Sequence, residues 1–234
     1  MAESPIISPT YQLTRARGGE YAETFMKECM VHLPGFLTEE GLARFRSEIR
    51  EMESHGQRRD LDTFGAWSTP RRFRAIGAQT IRGIGSIIPT VFESSGLQNF
   101  ISGMVGTKAV PYGDPHENMA VMILEKPNDE HGAHCDEFPF AFNIALEVPP
   151  QDAGGVLQYA PQTRSIFAFS GRQRETSPPL EAGDAYLMHS GSTIHRVTGL
   201  TKEGCRRVML SYSFSTPALV NRPSASGAPL FGDE

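Results

Sequence analysis

After position 118 the chain becomes a succession of short apolar segments, at 119–125, 140–148, 156–160, 185–188, 193–197 and 206–214. This texture constrains the fold more than any other feature. Pro139 and the pair Pro149 and Pro150 bracket one segment, while Gly154 with Gly155, and Gly183 with Asp184, introduce two others. Segments this short between turn residues read as β-strands, since helices need longer periodic runs. The first half reads differently. Residues 29–34 suggest one strand. Thr38 then suits a helix N-cap, with Glu39 and Glu40 in the turn where the helix dipole favours acid. Leu42, Phe45, Ile49 and Met52 follow at helical spacing, which predicts an amphipathic helix over 39–54. Further helices are predicted over 84–94 and 96–105, and 55–72 is polar and irregular. Strands gathered after helices predict a mainly β fold with flanking α: a double-stranded β-helix, or cupin-like jelly roll, with N-terminal helices.

A chain of 234 residues, 39% hydrophobic, can bury one large core. The expected organisation is a flexible N-terminal segment at 1–20, a single domain at 21–216 and a flexible tail at 217–234. The segment 161–182 carries Arg164, Arg172 and Arg174 and reads either as a lid over a site or as a disordered insertion. A net charge of -5 argues against nucleic-acid and membrane-surface binding, both of which need a basic face. The local exception is Arg71-Arg72-Phe73-Arg74, whose plain reading is a solvated turn. Cys29, Cys135 and Cys205 fit no disulfide framework or zinc pattern, so reduced thiols and a cytoplasmic setting are expected. The first ten residues are polar and hold two prolines, unlike a secretory signal.

His134 and Asp136 stand two positions apart, and so share one face of a strand. His195 opens a later strand. Two imidazoles and one carboxylate on one face of an octahedral ion leave three adjacent positions open, which suits non-haem Fe(II). Zinc is the rival metal, and the ligands alone do not decide between them. Other histidines fit less well. His131 has Ala133 where a carboxylate is needed, His189 precedes no arginine-bearing strand at the right separation, and His116 has no partner. Arg206 and Arg207 open the last strand. A guanidinium there could pair bidentately with the far carboxylate of a chelating 2-oxoglutarate. Alternation puts Arg207, Met209, Ser211 and Ser213 on a small, partly polar face that suits a pocket. Arg206, Val208, Leu210, Tyr212 and Phe214 make a bulky face that suits packing. Arg207 is therefore the preferred anchor and Arg206 the alternative, with Ser211 beside it. Phe138, Phe140 and Phe142 read as jelly-roll core or as an apolar wall of the pocket. Trp67 is a candidate cover.

With Thr69-Pro70-Arg71, His131-Gly132-Ala133-His134, Gly154-Gly155, Gly183-Asp184 and His195-Arg196-Val197 in this order, the chain resembles the Fe(II)/2-oxoglutarate-dependent oxygenases. It is most similar to the group that holds the radical halogenases of free amino acids (BesD-like enzymes). Those halogenases have glycine where this chain has Asp136, and the missing carboxylate admits chloride. The resemblance with Asp136 retained implies hydroxylation over halogenation. It further implies Fe(II), 2-oxoglutarate and O₂ as cofactor and co-substrates, with succinate and CO₂ as products. By position it implies Arg71, Glu117, His131 and Glu137 as contacts to a zwitterionic amino acid, with Ser213 as a side-chain contact. The expected partner is a small molecule, an amino acid or a derivative of one; a homodimer is the one protein assembly allowed for. Desaturation, cyclisation or a non-catalytic metal-binding cupin are the alternatives.

Overall fold

The computed structural model describes residues 5–63, 69–169 and 175–232. Helices dominate the first half: α1 (Arg15–Gly19), α2 (Ala22–Glu28), α3 (Glu39–Met52), α4 (Ala78–Ile84), α5 (Ile87–Glu93) and α6 (Ser95–Met104), with α7 (Gly227–Phe231) at the end. The strands are β1 (Met30–Leu33), β2 (Gln57–Asp62), β3 (Pro70–Ile76), β4 (Val110–Pro111), β5 (Met119–Leu124), β6 (Glu130–His134) and β7 (Phe140–Glu147). They continue with β8 (Leu157–Ala160), β9 (Glu175–Thr176), β10 (Ala185–Met188), β11 (Ile194–Val197) and β12 (Arg207–Ser215). One antiparallel sheet runs β1-β10-β7-β12-β5-β3-β6-β11-β8-β9, with β2 beside β3 and β4 beside β12. It curls into the jelly roll expected from the sequence.

The two faces of the sheet carry different residues. On β12, Val208, Leu210, Tyr212 and Phe214 join the main core with Phe45, Ile49, Phe92 and Phe100 from the helices. Arg207, Met209, Ser211 and Ser213 line the cavity inside the curl. Helix α3 begins as expected, with the Thr38 hydroxyl accepting from the Gly41 N–H at 3.0 Å. The helix expected over 84–94 forms as α5, and α4 precedes it as a separate helix that ends at Ile84, with Gly85 between them. Helix α5 is capped by a distant side chain: the Glu48 carboxylate accepts from the N–H groups of Ser86, Ile87 and Ile88. These are the donors that a helix start leaves unsatisfied.

Several expectations are corrected. Residues 5–20 are packed, not loose: Tyr11 is buried, its hydroxyl donates to Pro34 O, and Ile7 bridges Leu37. The C-terminal segment to residue 232 is also held, with Leu230 and Phe231 buried. The polar stretch over 55–72 contains β2 and the start of β3. Arg71-Arg72-Phe73-Arg74 is thus a strand and no turn: Arg71 and Phe73 face inward, while Arg72 pairs with Glu130 and Arg74 with Glu125. Trp67, Arg172 and Arg174 lie outside the described residues. No helix among the described residues is long and apolar enough to cross a membrane.

Candidate metal centre

Strand β11 pairs antiparallel with β6 so that His195 lies directly across from His134. Asp136 follows two residues beyond β6's last ligand, its backbone N–H donating to Ser190 O at 3.1 Å. One ligating atom from each of His134, Asp136 and His195 falls within 4.8 Å of the others, the one such grouping among the described residues. Asp136 Oδ1 is 3.4 Å from His134 Nε2 and 3.8 Å from His195 Nε2. Both rings are oriented from behind: His134 Nδ1 donates to Gly132 O at 2.8 Å, and His195 Nδ1 to Thr193 O at 3.0 Å. Those bonds place the proton on Nδ1 and leave Nε2 as a lone-pair donor aimed at the centre. Burial, with His195 and Arg71 adding to it, lowers the His134 pKa to about 4. Burial pushes Asp136 the other way, but His195 and His134 outweigh it and hold the carboxyl at about 2. At neutral pH His134 is therefore a neutral imidazole and Asp136 a carboxylate, the forms that bind a metal.

This donor set fits a divalent ion with octahedral preference, because two histidines and one carboxylate on one face leave adjacent positions free. A cavity of about 800 Å³ opens beside it. Arg71, Glu117, His131, Glu137, Arg207, Ser211 and Ser213 line that same cavity, together with the three ligands. Arg206 does not. It points away and pairs with Glu53 and Glu147, which removes it as an anchor within the cavity. Arg207 is buried beside Tyr186, which is also buried.

The other polar groups divide by what already occupies them. Arg71 Nη1 donates to Thr69 Oγ1 at 2.9 Å and to Gly132 O at 3.2 Å, while its buried Nε has no partner. Burial lowers the Arg71 pKa to about 10, with Asp136 opposing, so the group keeps its charge. Glu117 is buried and accepts from the Ser226 hydroxyl on Oε2 at 3.2 Å, while Oε1 has no partner. Burial raises the Glu117 pKa to about 8. An orphaned buried donor on Arg71 and an orphaned buried acceptor on Glu117 call for a ligand with complementary groups. Glu137 is largely spent elsewhere: Oε2 accepts from Ser224 Oγ and Ala225 N–H, each at 2.6 Å. It holds the C-terminal segment over the cavity. Ser213 is likewise engaged, donating to Glu117 O at 2.8 Å. His131 stacks on His134 with centroids 4.1 Å apart and also meets Phe73. Gly132 between these histidines is required by the approach of β3, since a Cβ there would lie 2.7 Å from Pro70 Cδ.

Of the three phenylalanines, Phe138 lines the cavity, while Phe140 and Phe142 lie in the core on the far side. Pro139 precedes the strand, so alternation does not carry back to Phe138. His189 packs against Phe25 and Phe140, away from the metal ligands. From 161–182, Arg164 and Ile166 reach the cavity wall. The residues that sequence reasoning missed are Thr69, Asn143, Tyr186 and the C-terminal Ser226, Leu230 and Phe231. Tyr186 could have been found by alternation on its strand. The C-terminal residues gave no such signal.

The sequence profile of the family described as Halogenase D matches residues 13–227. No curated protein matches the sequence at a significant level. Solved structures share the fold. The epimerase SnoN in complex with Fe3+, α-ketoglutarate and nogalamycin RO superposes with a TM-score of 0.64 at 18% identity, over 86% of this chain and 84% of that one. HygX from Streptomyces hygroscopicus, with nickel, 2-oxoglutarate and hygromycin B bound, gives 0.62 at 13% identity over 85% and 87%. A prolyl-4-hydroxylase from Pseudomonas putida gives 0.55 at 13% identity over 85% and 98%. The curled sheet is that of the 2-oxoglutarate oxygenases.

Proposed function

The chain belongs to the Halogenase D family, and from that premise we propose an Fe(II)/2-oxoglutarate-dependent oxygenase that hydroxylates an unactivated C–H bond of a free amino acid or similar small zwitterion. The convergence of His134, Asp136 and His195 carries this reading. Iron bound there, with 2-oxoglutarate and O₂, supplies the oxidising chemistry, giving succinate and CO₂ alongside product. The other residues position and exclude. Arg207, buried beside Tyr186, offers its guanidinium to the far carboxylate of 2-oxoglutarate. Arg71 presents its free Nε to a substrate carboxylate, and Glu117 its free Oε1 to an ammonium. Ammonium binding keeps Glu117 ionised, so substrate entry displaces the proton that burial otherwise leaves on it. Leu230, Phe231 and Phe138 narrow the apolar side of the cavity and keep water from it.

Hydroxylation is preferred to halogenation because the Asp136 carboxylate occupies the ligand position that a halide needs. The SnoN and HygX structures, which contain a metal and 2-oxoglutarate, support the cofactor pair. The test is anaerobic titration of Fe(II)-loaded protein with 2-oxoglutarate, followed by visible absorption and repeated with a panel of amino acids. A weak charge-transfer band is expected, shifted by the substrate. No band at saturating Fe(II) and 2-oxoglutarate overturns the reading.

A further inference from the structure

A second cavity, about 1260 Å³, lies on the other side of Arg207 from the metal ligands and opens to the surface. Leu157, Arg207 and Met209 line both cavities, so these three side chains are the partition between them. All three are buried. The partition is thin at Arg207: Gly155 backs it with φ +69°, and a Cβ there would sit 3.3 Å from Arg207 Cδ.

The two cavities differ in charge. The outer one is lined by Arg46, Arg50, Arg206 and Arg207 against two glutamates, Glu147 and Glu181. In the metal cavity the acidic side chains outnumber the arginines, four to three. A dianion is therefore drawn to the outer cavity, while the inner one would gain its positive charge from the metal at its centre. Arg206 is fixed by Glu53 and Glu147, and Arg46 Nε donates to Leu146 O. Arg50 is exposed and has no ion pair among the described residues. The inner mouth is also bordered by the C-terminal segment and by the groups assigned to substrate, Arg71 and Glu117. With substrate seated there, a molecule anchored on Arg207 faces an occupied inner mouth on one side and the partition on the other.

We propose that the outer cavity is an antechamber for dicarboxylates, through which 2-oxoglutarate reaches Arg207 and succinate leaves. The proposal rests on the 2-oxoglutarate-dependent reading given above. Movement of Met209 and Leu157, both single unbranched or singly branched side chains, opens the passage while Arg207 hands the carboxylate from one side to the other.

Rates decide it. Anaerobic stopped-flow mixing of Fe(II)-loaded protein with 2-oxoglutarate gives association and dissociation rates without turnover. Arg50→Glu is expected to slow association severalfold at low ionic strength, to match wild type at high salt, and to leave dissociation unchanged. Val156→Trp, which adds bulk to the lining of the outer cavity, is expected to slow both rates by the same factor and leave Kd unchanged. That signature belongs to an obstructed route and not to a damaged site. Unchanged rates in both variants overturn the antechamber. Failure of wild-type protein to bind 2-oxoglutarate at all overturns the underlying reading instead. Arg50 is exposed, so its variant folds, and where Val156→Trp does not fold an unchanged association rate in Arg50→Glu alone overturns the antechamber.

Discussion

At position 136 a carboxylate stands within reach of both ligand histidines. Replacing it tests which chemistry the site supports. Asp136→Gly is expected to cost at least about ten- to a hundredfold in Fe(II) affinity, since even residues behind the ligands cost that much. Its visible band in the presence of 2-oxoglutarate should then respond to chloride, whereas the wild-type band should not. A wild-type band that already shifts with chloride contradicts the place given to Asp136. Glu117 makes a different prediction. Its pKa is raised by burial to about 8, so the folded protein favours its protonated form. The stability this gives is full below the ordinary carboxyl range, falls as pH rises, and is lost above about 8. Urea melts from pH 5 to 8 should show a decline in wild type, on the order of 2–4 kcal/mol, that Glu117→Gln lacks. Parallel slopes in the two proteins refute it. The same variant should weaken binding of a cationic amine substrate while sparing 2-oxoglutarate.

Among the elements, β12 was the most legible in sequence. Its alternation alone separates Arg207 from Arg206, because one face carries small, partly polar groups and the other bulk. The ligand strand β6 was legible only through its histidines: Glu130 to His134 has no apolar run. Strands β2 and β3 were hidden for a related reason. Arginines occupy both faces of β3, one buried in the cavity wall and the others in surface ion pairs, so no period of two shows. The C-terminal segment was hidden by composition, being rich in Pro, Ser, Ala and Gly. What orders it is remote in sequence: Glu137 gathers Ser224 and Ala225, and Arg59 donates to Leu230 O at 2.8 Å and Gly232 O at 2.9 Å. Removing residues 224–234 takes away the buried Leu230 and Phe231 and is therefore expected to cost about 3–5 kcal/mol of stability. Fe(II) and 2-oxoglutarate should still bind, because no ligand and no part of Arg207's surroundings is lost. Substrate binding should fail, as Ser226 no longer restrains Glu117 and the cavity stands open. Isothermal titration of the truncated protein with each ligand separates these effects, and retained substrate affinity refutes the role given to the segment.

For the whole molecule, the metal ligands are a joint between distant parts of the sheet. His134 and His195 sit on paired strands, Asp136 is tied to Ser190 between β10 and β11, and Arg207 lies across the curl on β12. A metal held by His134, Asp136 and His195, with 2-oxoglutarate anchored on Arg207, would join residues of β6 and β11 to β12 and so link the two sides of the jelly roll. Unfolding must break that link, so ligand binding raises the stability of the entire domain. At 100 times Kd the gain is about 2.7 kcal/mol, which for a domain of this size moves Tm by about 5–10 °C. Fe(II) and 2-oxoglutarate together should give this shift under anaerobic conditions. 2-Oxoglutarate alone should give much less, because Arg207 then holds one end and nothing holds the other. In Arg207→Gln the combined shift should fall towards that of the metal alone. In Arg206→Gln it should persist, since Arg206 lies on the outer face with Glu53 and Glu147. A loss confined to Arg206→Gln would mean that the anchor is on the other side of β12 and that the cavity assignment is wrong.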